Sequence, residues 1–167
     1  MEKEEVINLL RNSAIGWRFF NGGRIIFDEE SLKKIYINSE SDSIRKWTEI
    51  TNSTEGHLFR LPDSFWDGLN KISTLFVDWD ETNYPISLSP FLEADDKIIF
   101  FWGSKYSIVT FGDVFLKYWT DFCYPSDDNI LIAVPAKSVL ITYVEENFIF
   151  YNIDSNGVDK KQMILSS

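Results

Sequence analysis

The chain has 167 residues and a formal net charge of −10, a balance that repels nucleic acid and anionic membranes and attracts a basic partner. Its length allows one domain, 1–167, with a core that needs no covalent staples. The single cysteine, Cys123, excludes an intrachain disulfide and points to a reducing cytoplasm. The opening Met-Glu-Lys-Glu-Glu-Val lacks the pattern of a signal peptide, and no apolar run approaches the roughly 18 residues of a membrane span.

In chain order, the spacing of Val6, Leu9 and Leu10 predicts a short helix over 3–12 with those residues inward. Two apolar runs around Asn21-Gly22-Gly23 predict a hairpin, because those residues tolerate the positive φ of a tight turn. The glycine pair has no downstream Gly-Lys-Ser/Thr, so it is not a phosphate loop. Asp28 is placed to cap a helix through Leu32, Ile35 and Tyr36, and Ser43 to cap one carrying Ile44, Trp47 and Ile50. Polar residues 51–57 read as a mobile connection, and Pro62 opens a further helix with Phe65, Trp66, Leu69 and Ile72 on one side.

From residue 74 the period changes. Residues 74–79 and 97–102 read as strands, the second (Lys-Ile-Ile-Phe-Phe-Trp) apolar enough to be central. Tyr106–Val109 returns as its hairpin partner. Phe111, Val114, Phe115, Tyr118, Trp119 and Phe122 then recur on one helical face. Thr110 is the expected cap, and Asp113 and Lys117 stand one turn apart in the favourable order. Segments 130–134, 138–144 and 147–153 give three more strands, the last two joined at Glu145-Glu146, with a peripheral tail after Asp154–Gly157. Helices early and closely connected strands late imply an α+β fold: one mainly antiparallel sheet packed by several helices.

For chemistry the chain offers little. One His (His57) and one Cys (Cys123) cannot build a zinc site of the usual kinds. Cys123, between Phe122 and Tyr124, reads as a buried apolar thiol. Carboxylates are plentiful at Asp78-Trp79-Asp80-Glu81, Asp95-Asp96, Asp127-Asp128 and Glu145-Glu146. A metal-dependent hydrolase would converge such acids on a cation, but neighbours on a strand point to opposite faces, so each pair reads as a turn or strand end. No catalytic residue, metal ligand or cofactor is assigned. Residues 62–159 hold 16 acidic and 5 basic side chains, so the negative charge belongs to that part of the chain. Trp79, an aromatic ringed by acids, is the expected anchor for a basic protein surface.

The run Phe-Phe-Trp, then Phe-Leu-Lys-Tyr-Trp-Thr-Asp-Phe-Cys-Tyr-Pro-Ser-Asp-Asp-Asn, then a hairpin at Glu-Glu-Asn-Phe, resembles a family of small uncharacterised bacterial proteins over about residues 97–150. In size, acidity and absence of catalytic motifs, the whole chain resembles the immunity proteins that bacteria keep against secreted or contact-delivered toxins. That resemblance implies a non-enzymatic cytoplasmic inhibitor whose partner is a cognate basic toxin, in many such pairs a nuclease, with neither nucleic acid nor membrane as ligand. The expected contact surface is Asp78, Trp79, Asp80, Glu81, Asp95, Asp96, Tyr124, Asp127 and Asp128, taken as one face. The alternatives are a general regulatory interaction module and a carboxylate metal-dependent hydrolase.

Overall fold

A computed structural model of the chain describes residues 2–80 and 86–153. Helix α1 (Lys3–Asn12) leads through a 3-10 turn (Gly16–Phe19) into a two-stranded hairpin, β1 (Phe20–Asn21) and β2 (Arg24–Ile25). Then come α2 (Glu29–Lys33), β3 (Tyr36–Ile37), α3 (Glu40–Thr51), a 3-10 turn (Leu58–Arg60) and α4 (Asp63–Asp67). The second half contains β4 (Leu69–Phe76), β5 (Lys97–Trp102), β6 (Ser107–Phe111), α5 (Gly112–Phe122), β7 (Ile130–Val134), β8 (Val139–Val144) and β9 (Asn147–Ile153).

Seven strands form one sheet in the order β3-β6-β5-β7-β8-β9-β4, with every pairing antiparallel. This is the expected α+β architecture, with β5 inside the sheet. The apolar runs of β5 and β7 follow from burial on both faces. Ile98, Phe100, Ile130, Ile132 and Ile141 pack with Leu10, Leu32, Val114, Phe115 and Phe122 of α1, α2 and α5. Ile99, Phe101, Leu131 and Leu140 face the other way, onto Trp47, Ile50 and Phe65 of α3 and α4. Phe100 sits 5.4 Å from Phe115 and 5.1 Å from Phe122, ring centre to ring centre. Removing any one of these fully buried rings would cost about 3–5 kcal/mol.

Register defines two ends of the sheet. Trp102 pairs with Ile130, Ile130 with Tyr143, Val144 with Asn147 and Asn147 with Phe76, so these residues share one end. Lys97 pairs with Phe111 at the opposite end, alongside Val134 and Val139.

Several local expectations are corrected. Leu9 is exposed, and α1 buries Val6 and Leu10 instead. Asp28 does cap α2, accepting from the Ser31 amide at 2.7 Å, but that helix stops at Lys33, leaving Tyr36 as an exposed strand residue. Helix α3 starts four residues early, capped by Ser39, which accepts from the Asp42 amide. Ser43 is buried in it, its hydroxyl 2.8 Å from that of Ser107, and Ile44 points outward. Segment 51–57 is tied down: Thr51 is buried, Trp47 Nε1 donates to the Glu55 carbonyl at 2.8 Å, and the Ser104 amide donates to Gly56.

Helix α4 ends at Gly68, so Leu69 and Ile72 belong to β4, which runs to Phe76 and not from 74 to 79. Thr110 is the penultimate residue of β6, with its hydroxyl buried and without a hydrogen-bond partner among the described residues; Phe111 occupies the cap position of α5. Asp113 and Lys117 do not pair with each other. Helix α2 lies close enough to compete, so Lys34 takes Asp113 and Lys117 takes Asp28. The turns at Gly22-Gly23 and Glu145-Glu146 both have two successive positive φ values, as tight hairpins require. The expected turn Asp154–Gly157 and the tail beyond it lie outside the described residues.

Candidate functional site

The acidic knuckle after α5 is a joint that organises its neighbourhood. Asp127 accepts from both terminal nitrogens of Arg18, at 2.9 and 2.8 Å, and from the Tyr124 amide at 2.8 Å. The Arg18 and Asp127 side chains are only 9% and 16% exposed. The guanidinium carbon lies 4.9 Å from the Trp17 ring centre, 4.8 Å from Tyr124 and 5.8 Å from Trp102, so the cation is enclosed by π faces as well as by its carboxylate. A two-pronged guanidinium–carboxylate pair of this kind fixes geometry strongly. Two residues on, the Asn129 side-chain oxygen accepts from the Leu58 amide at 2.7 Å, and its backbone carbonyl accepts from Gly103 at 2.8 Å. Gly103 has φ +69, and a Cβ there would fall 2.4 Å from Asn129 Nδ2 and 2.9 Å from the Gly56 carbonyl oxygen. Asp127 is therefore neutralised internally and is not available to a partner. Asp128 is 57% exposed, 3.5 Å from His57 Nε2.

Trp79 is also an internal residue first. It is half-buried, its Nε1 donates to the Tyr143 hydroxyl at 2.8 Å, and its ring lies 4.9 Å from that of Trp119. Burial pushes the Tyr143 phenol above its ordinary range, which keeps it neutral. The flanking carboxylates are outward: Asp78 and Asp80 are exposed, and the Asp80 amide donates to Asp78 Oδ1 at 3.0 Å. The Val77 amide donates to the Glu146 carbonyl at 2.8 Å, setting Asp78 beside the Glu145-Glu146 turn.

Asp95 and Asp96 do not join them. They precede β5 and stand at the Lys97 end of the sheet, away from Asp78–Asp80 and Tyr124–Asp128. Asp96 is partnered, accepting from the Glu93 amide at 2.7 Å and from Lys137 at 2.6 Å, with its side chain 11% exposed. Asp95 is exposed. Glu81 lies outside the described residues. The eight of the nine expected residues that are described are thus split between two ends, and the two most buried of their carboxylates, Asp96 and Asp127, serve the fold.

The Trp102 end holds other groups that sequence reasoning left out of the contact set. Trp17 (63% exposed), Phe59 and Phe76 (60% each) present apolar surface. Trp17 is stacked on Tyr124 at 5.3 Å, and Phe59 lies 5.6 Å from His57. Asp121, half-buried beyond Trp119, has its carboxyl pushed up by burial. Among the described residues, Asp78, Asp80, Asp121, Glu145 and Glu146 form no ion pair. The one available sequence cue was the pairing of apolar and acidic residues at predicted turns; Arg18, 109 residues from Asp127, gave none. Cys123 is buried and its thiol is pushed well above the ordinary range by burial. No three His, Cys, Asp or Glu side chains among the described residues are placed to share a metal ion, and no described helix is long and apolar enough to cross a membrane.

Residues 9–151 match the sequence model of a family described as a protein of unknown function (DUF2947). The chain belongs to that family. The DUF2947 match runs from within α1 nearly to the end of β9, so it takes in the sheet, apart from the last two residues of β9, and the Arg18–Asp127 joint. No curated protein and no solved structure matches the chain.

Proposed function

We propose that this DUF2947 chain is a non-enzymatic binding protein that holds a basic protein partner against the Trp102 end of its sheet. The reading extends to an immunity or inhibitor protein that occludes a basic toxin, such as a nuclease. The observation that carries it is one end of the fold where Asp78, Asp80, Asp121, Glu145 and Glu146 have no ion-pair partner among the described residues and Trp17, Phe59 and Phe76 are exposed. Tight protein surfaces combine such features: aromatic side chains supply buried area, and charges around them steer and align. The Arg18–Asp127 joint gives the surface rigidity, because it locks Trp17 and Tyr124 into one stack before any partner arrives.

Substrate-like charge is the inhibitory principle. A nuclease site is built to attract phosphate, and a carboxylate-bearing edge presents comparable charge while offering no scissile bond. Steering raises association toward about 10⁸–10⁹ M⁻¹s⁻¹ at low salt, against roughly 10⁵–10⁶ for an unsteered pair. The test is stopped-flow association of the chain with the protein encoded beside its own gene, as a function of salt. Neutralising Asp78, Asp80 and Asp128 to Asn should slow association at low salt, flatten its salt dependence and leave dissociation nearly unchanged. An unchanged rate at low salt would remove these residues from the steering field.

A further inference from the structure

The opposite end of the sheet carries a feature of the opposite sign. A cleft of about 450 Å³, within the size range of small-ligand sites, opens beside the β3–β6 edge. Lys33 and Lys34 from the end of α2, Lys46 from α3 and Lys97 from the first position of β5 line it, together with Phe111 and the exposed Tyr36. In a chain with 26 acidic and only 16 basic side chains, four lysines from three separate elements line one concavity. Solubility does not call for this, since dispersed lysines solvate a surface as well and do not repel one another.

Two of the four are already held: Lys33 by Glu30 at 2.6 Å, and Lys34 by Asp113. Lys46 and Lys97 have no ion pair and no side-chain hydrogen bond among the described residues. Burial, with the charges of Arg45 and Lys97, draws Lys46 below its ordinary value, and the attraction of Asp42 and Glu49 on its own helix does not restore it. Those two acids pair with Arg45. The cleft therefore holds two unmatched positive charges beside an aromatic residue.

We propose that this cleft binds a small phosphorylated metabolite, with its phosphate between Lys46 and Lys97 and its body against Phe111. A phosphate monoester carries about −1.5 to −2 charges near neutral pH, which matches two free ammonium groups. Lysine acts as a compact point charge that takes phosphate without the fork geometry that favours arginine for planar carboxylates. A polyanion such as RNA is disfavoured by the chain's net charge of −10. An adjoining hollow of about 330 Å³ shares Lys34 and Phe111 and carries Asp95 and Asp113. Asp113 is taken by Lys34 and the Val114 amide, whereas Asp95 has no partner among the described residues, so a body that turns a hydroxyl toward Asp95, as in a sugar phosphate, suits it. The site is at the Lys97 end, remote from the acidic edge, and does not depend on the function proposed for that edge.

The experiment uses the full-length ¹⁵N-labelled chain. It is titrated with ribose 5-phosphate, inorganic phosphate, ribose and a short RNA oligonucleotide, with chloride adjusted to hold ionic strength constant. Saturable shifts confined to the amides of 33–36, 46, 97 and 109–111, with ribose 5-phosphate ahead of inorganic phosphate and ribose silent, are the expected result. Lys46→Gln and Lys97→Gln should each weaken binding roughly tenfold or more, and Lys71→Gln, on β4, should leave it unchanged. Lys97 is exposed and has no ion pair among the described residues, so Lys97→Gln leaves the fold intact and carries the test by itself. The proposal is overturned by an absence of saturable shifts, by equal affinity in Lys97→Gln, by inorganic phosphate binding as tightly as the sugar phosphate, or by a preference for RNA.

Discussion

Replacing Asp127 with Ala is the most informative single perturbation of this fold. In the folded protein the Asp127 carboxylate receives three hydrogen bonds, two from Arg18 and one from the Tyr124 amide. Its partner's side chain is 9% exposed and enclosed by Trp17, Tyr124 and Trp102, so water cannot replace the lost acid well. A surface ion pair would be worth up to about 1 kcal/mol, whereas breaking a buried pair by removing one member costs about 3–5 kcal/mol. For a chain of this size that loss lowers the thermal midpoint by about 6–20 °C. The assay is urea unfolding followed by tryptophan fluorescence, with the denaturant slope checked for constancy.

Arg18→Met combined with Asp127→Leu leaves no uncompensated buried charge, and should be more stable than Asp127→Ala alone, because apolar replacement of a whole buried pair is often near neutral. A loss under about 1 kcal/mol for Asp127→Ala, or a double variant worse than the single, would refute the view of this pair as a buried joint.

Three other outcomes rest on particular residues. Glu145 and Glu146 both sit at positive φ, so replacing them with Asn-Gly should stabilise the β8–β9 hairpin by about 0.5–1 kcal/mol, read by thermal unfolding. Gly103→Ala should destabilise by about 1–3 kcal/mol in the same assay, since its φ of +69 and the crowding by Asn129 and Gly56 both oppose a Cβ. Asp28 is held well below the usual carboxylate range by its hydrogen bond to Lys117 and by the Ser31 amide that it caps. A depressed folded value means stability that is present above the ordinary aspartate value of about 3.9 and lost as pH falls through the folded one. Asp28→Asn should therefore flatten the acid limb of the stability profile below about pH 4 and change its slope little near neutrality, as measured by unfolding at a series of pH values.

Local chemistry made much of this fold legible from sequence. The unbroken apolar run 97–102 marked an interior strand, the spacing from Phe111 to Phe122 marked α5, and Asn21-Gly22-Gly23 marked a tight turn. Errors arose where two local rules fitted the same residues. Leu69 and Ile72 keep helical spacing after Pro62, yet Gly68 ends the helix; Leu69 then pairs with Ile153 of β9, and Ile72 falls at the bulge of β4 between Lys71 and Ser73. Ser39 and Ser43 are equally good caps in isolation; the buried Ser107 hydroxyl claims Ser43. At the candidate site the acidic turns were legible, but their distribution between two ends was not, because register is a property of the assembled sheet. The Arg18–Asp127 pair and the four-lysine cleft join residues with no shared local pattern, and so no sequence window contains them.

We propose that the acidic, aromatic end of the sheet holds a basic protein. The most direct measurement is co-expression of this chain with the protein encoded beside its own gene, followed by size-exclusion chromatography and a growth assay of each alone and together. The expected result is a stoichiometric complex that persists in moderate salt, a neighbour that halts growth when made alone, and rescue that weakens when Asp78, Asp80 and Asp128 are neutralised together. A harmless neighbour that elutes apart from the chain, or full rescue by the neutralised variant, would contradict it.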